Sequence, residues 1–233
     1  MTKKEIVRRS DVIEKLGSLY DLLTESQRKE LLDEIIAVNY RHDEIIYEEG
    51  EVPTHLLCLL SGKAKIYKEG VAHRTQIVRL VNAVDFFGYR DHFANQNYVT
   101  SCAAFEPSIV CKIPMEMINR WVDENPRVAS RVIKKMATII GQTDERLVNL
   151  TQKHVRGRLA ETLLLLKSTY GWERDGRLCI NPSRQDLGNL SNMTTANAIR
   201  TLGAFVSEGL VAVKGRHITI INEEELKNIS RKG

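Results

Sequence analysis

No cysteine in this sequence has a partner at the spacing of a metal site or a redox motif. Cys58, Cys102, Cys111 and Cys179 are scattered, and no CxxC pair occurs. That argues against a zinc site and a disulfide frame and fits reduced thiols. Histidine pairing is missing too: the six histidines (42, 55, 73, 92, 154 and 217) form no HxH or HxxH. An enzyme with metal ligands clustered on neighbouring strands would need such pairs. Long apolar runs are also lacking. The leucine run Leu163–Leu166 is far too short to span a bilayer. The opening MTKKEIVRRSD carries charge where a secretory leader would carry an apolar stretch. These absences lead us to expect a cytoplasmic protein that is not an enzyme and has no membrane partner.

What is present suits globular domains. Of 233 residues, 42% are hydrophobic and 27% charged, enough for one large or two modest cores. The net charge of +4 is unevenly placed. Residues 151–233 hold 13 Lys and Arg against 8 Asp and Glu, whereas residues 1–150 hold 21 against 22. The basic last third is a mild pointer to nucleic acid.

Periodicity divides the chain. The first 36 residues read as helical, with Thr24 and Gln27 at capping-box spacing before Leu31, Leu32, Ile35 and Ile36. From Ala37 to Pro114, short apolar or alternating runs (EIIY, HLLCLL, KAKIY, QIVRL, SIVCKI) are separated by EEGE, SGK, KEG and EPS. That rhythm indicates an antiparallel sandwich or barrel. A short helix, Met115–Val122, precedes a long one. In the long helix Val128, Val132, Met136, Ile139, Thr143, Leu147 and Leu150 step by three and four, which predicts a coiled-coil dimer seam over about Pro126–Leu150. A helix lying on the sandwich is the alternative. An amphipathic helix over about His154–Thr169 follows, closed by Gly171, and then a short strand RLCI.

The segment SRQDLGNLSNMTTANAIRTLGAFVSEGL carries the strongest signal. Ser183 with Asp186 forms an N-cap signature, and the helix behind it turns Leu187 and Leu190 inward. Ser191-Asn192 makes a turn. Thr194 caps a second helix predicted to bury Ala198, Leu202, Phe205 and Val206, and Gly209 closes it. Two such helices read as a helix-turn-helix. The strands LVAV and HITII then enclose Lys214-Gly215-Arg216, a hairpin tip whose cations suit DNA phosphates.

With these residues in order, the sequence resembles regulators of the CRP–FNR family along nearly its whole length. The resemblance is carried by YEEGEVPTHLLCLLSGKAKIYK, ENPRVASRVIKKMATII, VRGRLAETLLLL and SRQDLG…IRTL…EGLVAVKGRHITI. It implies an α+β chain with an N-terminal antiparallel β-roll, a jelly-roll-like cyclic-nucleotide-binding-type domain, at 1–124. A dimerisation helix at 125–150 and a C-terminal winged helix-turn-helix at 151–233 would follow. It further implies a homodimer whose partners are double-stranded DNA, RNA polymerase and a small-molecule effector. By the same resemblance the DNA-binding residues are Arg184, Gln185, Thr194, Thr195, Asn197, Arg200, Lys214 and Arg216. Arg200 would read guanine, Asn197 suits adenine, and Arg184 matches a phosphate contact. The recognition helix reads Thr195, Ala196, Asn197, Ala198, Ile199, Arg200, without the Glu usual in relatives, so their half-site does not carry over.

The stretch FFGYRDHFANQNYVTS, Phe86 to Ser101, falls where cyclic-AMP-binding members place a phosphate cradle. The implied pocket residues are Gly88, Tyr89, Arg90, Tyr98, Val99, Thr100, Thr143 and Asp144. Gly88 matches the cradle's glycine. Tyr89 replaces its Glu, Tyr98 and Val99 stand at its Arg-Ser pair, and on the long helix Thr143 matches a Thr while Asp144 replaces a Ser. Burying a phosphate without an Arg is costly. The expectation is therefore an effector other than cyclic AMP, with Arg90 an ion-pair partner of Asp91. Cofactor identity stays open. An iron–sulfur cluster is not expected, because the first cysteine, Cys58, lies in a strand-like run. A haem-dependent gas or redox sensor is the alternative within the family, with His73, His92 and Cys102 as candidate ligands. A cupin-like metalloenzyme is the alternative outside it.

Overall fold

The computed structural model describes residues 15–17 and 19–233. The part of the expected N-terminal helix at 1–14 and 18 lies outside them. The chain forms two bodies: residues up to 68 with 78–139, and residues 69–77 with 140–233.

The first body begins with helical residues 15–17 and 19–20 and then α1, Glu25–Glu34. Thr24 caps α1 through a full capping box with Gln27, as the spacing predicts. The helix stops sooner than expected, because Ile36 already belongs to β1 (Ile36–Tyr40). Seven further strands follow: β2 Ile45–Tyr47, β3 His55–Ser61, β4 Ala64–Glu69, β5 Thr75–Val81, β6 Phe86–Phe87, β7 Ser101–Ala104 and β8 Ser108–Pro114. They make two four-stranded sheets, ordered β1-β8-β3-β6 and β2-β7-β4-β5. The expected loop between β6 and β7 also holds a short helix, α2, Arg90–Phe93.

β3 explains how the sheets pack. Its core residues Leu56–Leu60, LLCLL, alternate between two clusters. Leu57 and Leu59 join Tyr47, Ile66, Phe87, Tyr98, Cys102 and Val110 in one core. Leu56, Cys58 and Leu60 face the other way, onto Leu16, Leu31, Tyr89, Ile113, Ile118, Trp121 and Val128. A strand buried on both faces reads as an unbroken apolar run, as HLLCLL does.

Helix α3, Met115–Glu124, leads to α4, Pro126–Gln152. Here the expected seam must be corrected at its N-terminal end. Val128 is buried, and Val132 and Met136 pack against the cluster of α1, α3 and β3. The outward stripe is Ile133, Ile140 and Leu147, each more than 60% exposed and spaced by seven. Val128 and Val132 therefore belong to a helix lying on the sandwich, and the heptad stripe is turned by about one residue.

The second body contains α5 Val155–Tyr170, α6 Arg184–Leu190, α7 Thr195–Ser207, the hairpin β9 Val211–Lys214 and β10 His217–Ile220, and α8 Glu223–Lys232. Its core includes Leu159, Leu163, Leu166, Leu187, Leu190, Leu202, Phe205, Ile218 and Leu226. Two expectations fail here. RLCI forms no strand but only isolated bridges, Trp172 with Leu178 and Arg177 with Thr219. Val206 is exposed rather than buried. α8 was not foreseen, although Asn222 caps it by accepting from the Glu225 amide.

Candidate nucleic-acid interface

Local capping chemistry builds the interface. The Ser183 hydroxyl accepts from the Asp186 amide at 3.0 Å, and Asp186 accepts in return from the Ser183 amide at 3.1 Å. The turn after α6 needs a glycine: a Cβ on Gly188 would lie 2.9 Å from the Met193 carbonyl oxygen. Ser191 is fully buried, its hydroxyl 2.8 Å from both the Thr162 hydroxyl and the Leu187 carbonyl, which fixes the turn on α5. Thr194 then caps α7, accepting from the Asn197 amide at 3.2 Å.

α7 buries Ala198, Thr201, Leu202 and Phe205 and turns Thr195, Ala196, Ile199, Arg200 and Gly203 outward. Arg200 donates to the side-chain oxygen of Asn197, so the two expected base readers meet one turn apart. Ile199 is 53% exposed beside them. Sequence reasoning did not single it out; the signal was an apolar residue off the buried period. At the far end of α7, Arg156 clasps Glu208 with two bonds of 2.7 and 2.8 Å and lies over the Phe205 ring.

The wing hairpin pairs Lys214 with His217 across Gly215-Arg216, with Gly215 at a φ of 62°. Lys214 and Arg216 are exposed at the tip. Gln185 is exposed at the start of α6. Arg184 donates to the Gly215 carbonyl at 3.0 Å and so ties the start of α6 to the wing. Sequence reasoning gave Arg184 a phosphate; the structure adds a positioning bond. The body thus exposes the outward residues of α7 and the cations of the wing. It offers donors for base edges and charge for phosphates.

The expected effector loop is differently filled. Gly88 takes a φ of 79°, Tyr89 is buried, and Arg90 pairs with Asp91 at 3.0 and 3.1 Å, as expected. Gln96 also donates to Asp91. Tyr98 is buried in the sandwich, stacked on Tyr47 with ring centroids 3.9 Å apart. Burial pushes both phenols above their usual range. Val99 lies at the surface, its carbonyl accepting from Lys68, and Thr100 is buried. Thr143 and Asp144 are exposed on α4, in the part belonging to the second body. Of the haem candidates, His73 contacts Glu69, His92 hydrogen-bonds Asn119 at 3.0 Å, and Cys102 is fully buried. Among the described residues no group of three or more His, Cys, Asp or Glu is placed to hold a metal ion.

Comparison with known proteins agrees with this geometry. Residues 37–125 match the model of the cyclic nucleotide-binding domain and residues 157–229 that of the Crp-like helix-turn-helix domain. The chain is 28% identical over 189 residues to the fumarate and nitrate reduction regulatory protein of Vibrio cholerae, covering 79% of this chain and 74% of that one. It is 28% identical over 187 residues to the electron transport regulator A of Shewanella oneidensis, covering 78% and 74%. Its fold resembles FixK2 from Bradyrhizobium japonicum, with a TM-score of 0.76 at 22% identity over 84% of this chain and 96% of that one.

Proposed function

The chain belongs to the CRP–FNR family of transcriptional regulators, and from that premise we propose that it works as a homodimer reading a two-fold DNA site and answering to an effector other than cyclic AMP. DNA binding comes with the family. The finer reading is carried by one observation: α7 turns Ile199 and Arg200 away from its buried face, with Arg200 bonded to Asn197, and Arg184 ties the preceding helix to a wing tip bearing Lys214 and Arg216.

In this reading Arg200 carries specificity. Its guanidinium can meet a guanine edge with two bonds, a contact worth roughly 1–3 kcal/mol of discrimination. Asn197, which accepts from Arg200, orients it or reads the neighbouring adenine. Thr194, Thr195 and Gln185 reach the backbone or groove beside them. Lys214, Arg216 and Arg184 meet phosphates, which carry no sequence code. RNA polymerase is the partner through which a bound dimer would act on transcription.

The exposed stripe Ile133, Ile140 and Leu147 supports the dimer, since it repeats every seven residues along α4. The Tyr47–Tyr98 stack supports an effector other than cyclic AMP, because rings fill the roll where the cradle's Arg would stand. Selection on random DNA duplexes tests the central assignment. Wild type should enrich a two-fold motif, and Arg200→Ala should lose preference at one base pair per half-site. Equal enrichment of one motif by both proteins overturns it.

A further inference from the structure

The first body contains a cavity of about 340 Å³ outside the sandwich core. Leu19, Leu56, Phe86, Phe93, Ile118 and Val132 give it apolar walls, and Asp85, Arg131 and Lys135 also line it. Apart from Tyr89, none of the residues assigned to the effector loop does so. We propose that this cavity binds a small, neutral aromatic compound whose one acceptor atom takes a hydrogen bond from the Tyr89 hydroxyl. The inference goes beyond the DNA-binding reading and is tested without DNA.

Size comes first, since the volume lies at the lower end of the range for small-molecule sites. The walls then favour a ring. Tyr89 and Phe93 stand edge to face, with centroids 6.4 Å apart and planes at 75°, and Phe86 joins them. Aromatic rings that meet in such geometries gain beyond the area they bury.

The charged groups speak for a neutral guest, because each is already engaged. Both carboxylate oxygens of Asp85 accept, one from Lys135 at 2.9 Å and the other from the Asn82 amide at 3.1 Å. Arg79, whose charge also acts on Tyr89, donates to the Phe86 carbonyl at 3.4 Å. Arg131 has an interaction of its own. A carboxylate entering among Leu19, Ile118 and Val132 would shed its water and would have to draw one of these cations from its partner. A neutral guest asks for neither.

The group with bonding capacity to spare is the Tyr89 hydroxyl. It is buried and has no hydrogen-bond partner among the described residues. Buried polar atoms are seldom left so, and each exception calls for an explanation. Burial above all holds its phenol above the usual range; Arg79 and Arg131 oppose that, and Asp85 adds to it. The hydroxyl therefore keeps its proton at neutral pH and needs an acceptor. Asp85 and Arg131 act on it and also line the cavity, so it lies close beneath the wall. A small turn of the ring would bring it to a carbonyl oxygen on a guest seated among Phe86, Phe93 and Val132.

The test uses the intact protein with three probes. Acetophenone is neutral and has one acceptor, ethylbenzene has nearly the same shape and no acceptor, and phenylacetate is charged. Titration followed by nuclear magnetic resonance should give acetophenone a dissociation constant of about 1 mM or tighter. Ethylbenzene and phenylacetate should each bind about fivefold more weakly or worse. Tyr89→Phe should erase the preference for acetophenone over ethylbenzene and leave ethylbenzene unchanged, which a merely structural role would not do. Val132→Phe should fill the cavity and abolish binding while the melting temperature holds; should that variant not fold, the Tyr89→Phe comparison decides alone. The proposal fails if acetophenone does not bind at about 10 mM, or if ethylbenzene or phenylacetate binds as tightly. It fails equally if Tyr89→Phe keeps the preference or if folded Val132→Phe binds undiminished. None of these results touches the assignment of Arg200.

Discussion

At the scale of single residues, the interior of the sandwich is set by a few bulky or reactive side chains. Tyr98 stands where resemblance places an arginine, and its ring is stacked and buried. Titration with cyclic AMP at millimolar nucleotide should therefore show weak binding or none. A sub-micromolar dissociation constant would mean that the stack opens and that Arg90 leaves Asp91. The thiols allow a second prediction. Cys58, Cys102 and Cys111 are buried, and Cys179 is partly exposed. Burial pushes the Cys58 thiol up to about 12, with nearby Asp85 adding to it, and pushes Cys102 and Cys111 up as well. A thiol reagent should modify one cysteine per native chain quickly and four after denaturation. The sign of the pH effect follows. Between the ordinary thiol value of 9.0 and about 12, the folded state keeps the Cys58 proton and the unfolded state has lost it. This contribution to stability is full below pH 9 and falls as pH rises through that window. Urea midpoints that rise between pH 9 and 11 would contradict it.

At the scale of elements, capping made three helix starts legible, because the chemistry is local. Thr24, Ser183 and Thr194 each cap the helix that their spacing predicts. Facing was less legible. In α4, steps of three and four describe both a helix laid on a sheet and a coiled-coil seam, and the helix carries a buried face and, one residue on, an exposed heptad stripe. Val128 and Val132 go inward because α1 and α3 bring Leu31 and Trp121 beneath them, a contact that joins residues nearly a hundred positions apart. The cavity was illegible for the same reason: its walls come from separate segments, and no motif links Leu19, Leu56 and Ile118. α8 escaped because EEELKNISRK shows little apolar periodicity beyond Leu226. The corrected stripe makes its own prediction. Ile140→Asp with Leu147→Asp should place carboxylates opposite one another in the dimer, costing several kcal/mol through desolvation and repulsion. Sedimentation should then report monomer at micromolar concentration with an unchanged far-ultraviolet spectrum. A double variant that stays dimeric would move the interface elsewhere.

At the scale of the whole molecule, the reading requires symmetry in the DNA. A dimer with one recognition helix per protomer should protect two half-sites whose centres lie about 34–36 Å apart. Footprinting on a selected sequence measures that spacing, and protection of a single half-site by an intact dimer would count against it. The proposed phosphate contacts belong to this scale too, because in a dimer they would sum over both protomers. Lys214→Ala should weaken all DNA alike and lower the salt slope by about one per monomer.

The two faces of α4 have a thermodynamic consequence. Val132 lines the cavity, and the next residue, Ile133, belongs to the outward stripe. Successive residues on a helix project about 100° apart, so Val132 and Ile133 face different sides of α4. If a guest in the cavity turns this stretch, guest and protomer become reciprocal effectors. The factor by which a guest alters the dimer dissociation constant must then equal the factor by which dimerisation alters guest affinity. Guest affinity would in that case depend on how much protein the cell holds, and a dilute regulator would answer to a different concentration from an abundant one.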